Sequence, residues 1–290
     1  MTRTLTTLHR RGHFFESGRW RDGRWWVSDF YAGAVYSITP DGDVTTELAV
    51  PHWPSGLGWL PDGSLLVVSM GDRRVLRRAP GGDVSVHADL AEYCEGLAND
   101  MVVTADGHAY VGSMGYEWDE ARPQKAVLVH ISPDGTTALA SDEVTFPNGG
   151  SILSDGVTLV VADTFGSEAL AWTIRPDGTL VDRRIWADLG VAMKIDAGGQ
   201  IVGLPAAGLD GCAVDPHDRI WMADGVGRRA LLIAEGGEIV DEVAAPEGLS
   251  VYSCALGGPN GTTLMLCCSP DHLPTPRQAA AESVIVTVEL

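Results

Sequence analysis

Short runs of alternating apolar residues recur along the chain, and each follows a turn signal. They are Trp25-Trp26-Val27 after Asp22-Gly23, Leu65-Leu66-Val67-Val68 after Asp62-Gly63, Ala109-Tyr110-Val111 after Asp106-Gly107, Leu159-Val160-Val161 after Asp155-Gly156, Ile220-Trp221-Met222 after Asp218, and Leu264-Met265-Leu266 after Asn260-Gly261. Asp-Gly and Asn-Gly between β-prone runs are strong hairpin signals, because their positive-φ turns match the twist of the flanking strands. Every unit but the last carries a second turn, at Pro40-Asp41-Gly42, Pro80-Gly81-Gly82, Pro133-Asp134-Gly135, Pro176-Asp177-Gly178 and Glu235-Gly236-Gly237. Two hairpins make four antiparallel strands, and the first-turn signals lie 40, 44, 49, 63 and 42 residues apart. Six such units predict an all-β six-bladed β-propeller, with residues 1–290 as a single domain. No helix-period stretch of comparable length competes with that reading.

Two departures from the repeat carry predictions. The last unit has strand runs at Leu264 to Cys268 and Ser283 to Glu289, and the chain then ends without an outermost strand. The N-terminal run Arg3 to His9 has a β-compatible pattern and is expected to fill that place, which closes the ring and removes an exposed edge. The long fourth interval places extra residues around Val191 to Gly199, as an extra hairpin or a rim element near the channel mouth. The segment Gly115 to Pro123, with Tyr116 and Trp118, reads as a loop, and loops at one end of a rigid scaffold commonly carry specificity.

Composition narrows the function classes. The chain is 45% hydrophobic with 35 glycines, as a turn-rich globular protein should be. A net charge of −19 with only 20 Lys and Arg argues against nucleic acid, whose phosphates bind through basic residues. The N-terminus has arginines but no apolar signal core, and no window approaches the roughly 18 apolar residues of a membrane span. Five cysteines, an odd number without zinc spacing, fit reduced thiols, with Cys267-Cys268 as buried packing. These features together predict a cytoplasmic protein, monomeric or weakly dimeric, with a small-molecule substrate and neither nucleic acid nor membrane as a partner.

Superposing the units on their inner runs aligns Glu16, Ser55, Asn99, Asn148, Asp210 and, less closely, Tyr252, each four residues before an apolar position. Inner strands of a propeller surround its channel, so these side chains form a ring. A ring holding two carboxylates and two amides is costly without a counter-charge. Glu16, Asn148 and Asp210 are three oxygen donors without sulfur or imidazole, a set that favours Ca2+, Mg2+ or Mn2+ over structural zinc. Asp29, Asp163 and Asp224 follow strand runs in corresponding places and read as acceptors that close turns. Trp20, Trp59 and Trp221 read as core packing. The chain has no HExxH pair, phosphate loop or G-x-S-x-G elbow.

Four motifs in order resemble the regucalcin (senescence marker protein)/gluconolactonase/luciferin-regenerating-enzyme family of six-bladed propellers. They are Glu16-Ser17-Gly18-Arg19-Trp20, with Gly18 where the family usually has proline; Asn99-Asp100 followed by Asp106-Gly107 and Gly112; Pro147-Asn148-Gly149; and Asp210-Gly211-Cys212-Ala213-Val214-Asp215. The resemblance implies that Glu16, Asn148 and Asp210 hold one divalent cation, Ca2+ first, with Mg2+, Mn2+ or Zn2+ as alternatives. It also implies Asp210 as general base and Asn99 as a further ligand, substrate contact or oxyanion donor. The implied activity is metal-dependent opening of a lactone. The alternatives are a non-catalytic propeller that binds a small molecule or calcium, and non-hydrolytic chemistry on a specialised metabolite. Family members acting on sugar lactones carry arginine where this chain has Leu97. With Leu97, Met114, Tyr116 and Met193 as substrate contacts, the expected substrate is less polar than an aldonolactone.

Overall fold

Strand pairing follows the turn chemistry closely. Asp22 and Gly23 both take positive φ, at 52° and 74°, in the two-residue turn joining Phe15–Arg21 to Arg24–Asp29. In this computed structural model, which describes residues 3–115, 126–197 and 200–290, the described residues form six four-stranded antiparallel sheets. The innermost strands are Phe15–Arg21, Pro54–Trp59, Ala98–Val103, Pro147–Ile152, Leu209–Val214 and Ser250–Gly257, in blades 1 to 6 respectively. Each contacts the next, and the sixth contacts the first, so they surround one axial channel. The architecture is the six-bladed propeller.

Burial grades outward within each blade. Second strands such as Leu65–Ser69, Ala109–Ser113 and Ile220–Asp224 are buried along their whole length, while the outermost strand Val44–Ala49 is mostly exposed. The apolar core therefore lies between neighbouring blades rather than at one centre, as the cluster of Val160, Trp186, Leu209, Met222 and Leu231 shows for blades 4 and 5. The inner strands approach too closely for side chains at some points. A Cβ on Gly149 would lie 2.6 Å from the Cys212 nitrogen and 2.7 Å from the Asp210 oxygen.

The N-terminal run does close the ring, in a slightly different frame. Thr6–Gly12 pairs antiparallel with Ser283–Glu289, beginning at Thr6↔Thr287 and ending at Gly12↔Ser283. The start is later than the pattern suggested: Arg3 forms a two-pronged pair with Asp241 of blade 5 at 3.0 and 2.6 Å, and Leu5 packs against the core cluster of blades 5 and 6. The extra residues of the fourth interval form a small hairpin, Lys194–Ile195 with Ile201–Gly203. A six-residue helix, Pro274–Ala279, departs from the all-strand expectation. Proline at its start fixes φ, and its Arg277, 4% exposed, is held by Asp271 and Glu282. All five cysteines are unpaired and buried. Among the described residues no helix is long and apolar enough to cross a membrane.

Candidate functional site

Glu16, Ser55, Asn99, Asn148 and Asp210 are each the second residue of an inner strand. The residue before each pairs with the last residue of the second strand, Phe15↔Asp29, Pro54↔Ser69, Ala98↔Ser113, Pro147↔Asp163 and Leu209↔Asp224. Where that partner is aspartate, its buried carboxylate clamps the chain entering the inner strand. Asp29 accepts from the backbone N–H groups of His13, Phe14 and Ala32, Asp163 from those of Thr145, Phe146 and Gly166, and Asp224 from those of Gly208 and Gly227. The three clamped blades are those of Glu16, Asn148 and Asp210, whereas Ser69, Ser113 and Ser269 end the second strands of the other three. A carboxylate holding several N–H groups fixes backbone more firmly than one hydroxyl.

Glu16, Asn99, Asn148 and Asp210 line one cavity of about 420 Å³ at the end of the channel where the inner strands begin. Both carboxyl groups are pushed toward the protonated form. For Glu16 the main cause is burial, partly relieved by the neighbouring Ser55 hydroxyl, and the charges of Asp210 and Asp100 add to it. The relief is incomplete, because neither Glu16 Oε1 nor Ser55 Oγ, both buried, has a hydrogen-bond partner. Burial likewise pushes Asp210 up to about 8, against the 2.8 Å bond from Gly211 N–H and a bond from Asn148. Asn148 also donates to Thr164 Oγ1 at 3.3 Å, and Asn99 donates to the Pro147 carbonyl at 3.4 Å.

Beyond this ring lies a charged pair. Arg19 reaches Asp100 at 3.0 Å and also donates to the carbonyls of Gly18, Leu57 and Met101, tying blades 1, 2 and 3 together. On its far side a second cavity, about 590 Å³, opens at the opposite face and is walled by Trp20, Trp59, Val103, Val214 and Leu256. Trp221 is core, 1% exposed. Trp20 and Trp59, expected in the core, are half-buried on this second wall.

The first cavity is walled by turns between second and third strands and by the hairpin of the long interval. Phe14, Phe30, Met70, Phe146, Phe165 and Tyr252 contribute to it, as do the expected contacts Met114 and Met193. Met193 is tethered by its N–H to the Phe165 carbonyl at 2.7 Å. Leu97 is a correction: it is 1% exposed, packs in the core between blades and is not among the described lining residues. Leu97 precedes the inner strand Ala98–Val103, and its apolar side chain joins the core cluster of Met70, Ala98, Met101 and Met114. Tyr116 and Trp118 lie outside the described residues. Thr164, Arg228 and His272 line the cavity without having been singled out in the sequence. His272 sits between the second strand of blade 6 and the short helix, where no other blade has a counterpart, whereas Thr164 and Arg228 begin and end a four-residue turn that recurs in blades 1, 2, 4 and 5 and were accessible to that comparison. Among the described residues no three His, Cys, Asp or Glu side chains form a metal cluster, so a cation here would depend on amide oxygens beside the two carboxylates.

The same architecture is found in solved structures of other proteins. A calcium-binding protein, regucalcin, from Agrobacterium tumefaciens superposes with a TM-score of 0.77 at 18% identity, over 100% of this chain and 96% of its own. A luciferin-regenerating enzyme gives 0.79 at 15% identity, over 99% and 95%. A gluconolactonase from Xanthomonas campestris gives 0.74 at 22% identity, over 99% and 89%. Identities this low establish likeness of fold alone. The sequence itself matches the model of the SMP-30/Gluconolactonase/LRE-like region over residues 14–269, nearly the whole propeller, and the chain therefore belongs to that family.

Proposed function

We propose that this protein is a divalent-metal-dependent lactonase whose cation, calcium first among the candidates, is held by Glu16, Asn148 and Asp210. The observation that carries the reading is Glu16 Oε1, a buried carboxylate oxygen without a partner, in the same cavity as a second carboxylate whose ionisation is also suppressed. Two such groups fit a counter-charge, and the amide oxygens of Asn148 and Asn99 are suited to complete a hard-donor set. Membership in a family that includes gluconolactonases supports lactonase-type chemistry, and the calcium-binding regucalcin supports the choice of ion.

A bound cation would supply Lewis-acid polarisation of the ester carbonyl. The chain's own groups divide the remaining work. Asp210, on the cavity floor and ionised once a cation is held there, would accept the proton of the attacking water. The Asn99 amide, long and weakly bonded to Pro147, turns its N–H toward the developing oxyanion. The apolar walls orient the ring and keep bulk water off the carbonyl. They also favour a substrate less polar than an aldonolactone, now on the strength of Met114, Met193 and the phenylalanines rather than Leu97.

The test is acid release from a lactone panel by wild type and Asp210→Ala, each with calcium and with chelator. Calcium-dependent turnover in the wild type alone is expected, together with calcium-dependent thermal stabilisation absent from the variant. A variant with full metal-stimulated activity, or a wild type indifferent to chelator, rejects the assignment.

A further inference from the structure

The cavity has two chemically distinct halves. Its floor, on the inner strands, carries Glu16, Asn99, Asn148 and Asp210, and its outer wall is built from the hairpin of the long fourth interval together with the turn after blade 5's second strand. Three side chains there line the cavity while remaining open to solvent: Ile201 at 49%, Leu204 at 67% and Val226 at 41% exposed. Part of the cavity's apolar lining is therefore shared with the molecular surface. The hairpin's own fold gives no reason for this, since Ile201 and Leu204 gain little burial from it.

We infer that the substrate carries an alkyl or aryl tail, which leaves the ring seated on the polar floor and lies along Ile201, Leu204 and Val226. This deepens the lactonase reading and rests on it. The occupant is the substrate's own tail rather than a protein or a lipid surface, because the patch is continuous with the cavity that holds the reacting end. The chain's net charge of −19 also opposes docking on the acidic surfaces of membranes. An exposed apolar rim of this kind marks a binding surface.

Two measurements separate this inference from the parent reading. Affinity for N-alkyl-2-pyrrolidinones, non-hydrolysable lactone mimics, is measured by calorimetry from N-ethyl to N-octyl, and kcat/KM is measured from γ-butyrolactone to γ-dodecalactone. Each added methylene is expected to raise both by about threefold to fourfold. Leu204→Ser, Ile201→Ser and their double variant are expected to lower the ratio of long-chain to short-chain values by about tenfold. Val86→Ser, an equally exposed apolar position on blade 2's outer strand, should leave that ratio unchanged. Graded pyrrolidinone binding without hydrolysis of any lactone would reject the catalytic reading and keep the tail site. Hydrolysis of short lactones with no dependence on chain length, or a gradient that survives the double variant, would overturn the tail site alone. Co-sedimentation of the protein with phosphatidylcholine vesicles, lost in the double variant, would assign the patch to membranes and overturn it too.

Discussion

A carboxylate denied water must find a cation or keep its proton, and Glu16 and Asp210 face that choice in one cavity. Asp210 in the folded protein, at about 8, lies far above its unfolded value of roughly 3.9. The native state therefore holds a proton that the unfolded chain releases between about pH 4 and pH 8. Stability linked to this group is greatest below that window and falls as pH rises through it. Glu16 shifts in the same direction and adds to the trend. In chelator, the melting temperature is thus expected to fall from pH 5 to pH 8, and the fall should shrink in Asp210→Asn. Calcium at a hundredfold its Kd adds about 2.7 kcal/mol, and its affinity should rise with pH because it displaces the retained proton. Thermal scans at pH 5, 6.5 and 8 check this; a flat profile for the metal-free wild type would contradict the burial of the pair.

At the scale of elements, the aspartates at the ends of second strands connect fold to site. Asp29, Asp163 and Asp224, none more than 2% exposed, hold the backbone two to three residues before Glu16, Asn148 and Asp210. Asp163→Ser copies the residue used in blades 2, 3 and 6 and leaves the buried N–H of Phe146 and the partly buried N–H groups of Thr145 and Gly166 short of an acceptor. Hydrogen bonds to a charged group contribute about 1.5–3 kcal/mol each, so a loss of roughly 3 kcal/mol in metal-free denaturation is expected. Misplacing Asn148 should weaken calcium roughly tenfold, as loss of groups that orient metal ligands generally does. Ser69→Ala, read by the same denaturation and titration, should leave calcium binding unchanged. These positions explain how much of the site was legible. Each ring residue stands four positions before an apolar residue of its inner run, so aligning the units on those runs brought Glu16, Asn148 and Asp210 together. Leu97 misled because its placement rested on the arginine that the resembling family carries there, and an apolar side chain at that position packs into the core between blades instead. His272 was invisible because the segment between the second strand of blade 6 and the helix has no counterpart in the other blades, whereas Arg228 ends a turn of constant length and was open to the same alignment. The hairpin was visible only as surplus length, since two and three residues of strand leave no periodicity to read.

For the whole molecule, the ring is held shut by one antiparallel ladder that joins the two ends of the chain. Thr6–Gly12 covers the edge of Ser283–Glu289, and the following strand is fastened to the same blade where Phe15 N–H meets Ser283 Oγ at 3.1 Å. Its outward side chains are largely exposed, so the strand contributes mainly backbone hydrogen bonds and Leu8, which packs beside Phe15 and Trp25. Removing residues 1–12 would uncover a strand whose Ile285, Val286 and Val288 are buried in the intact ring. An uncovered edge of that kind recruits other chains. The truncated protein is expected to melt at least 10 °C lower, since several kcal/mol of pairing and packing are lost, and to associate with rising concentration. Amide exchange should localise the damage. Protection at Ile285 to Thr287 should collapse first, whereas the blade 4 amides around Val160, across the ring, should exchange as in the full chain at low concentration. If the truncated chain melts with the wild type and keeps Val286 protected, the ring does not depend on its N-terminal strand, and blades 1 and 6 must be held together by the contacts of their inner strands around the channel.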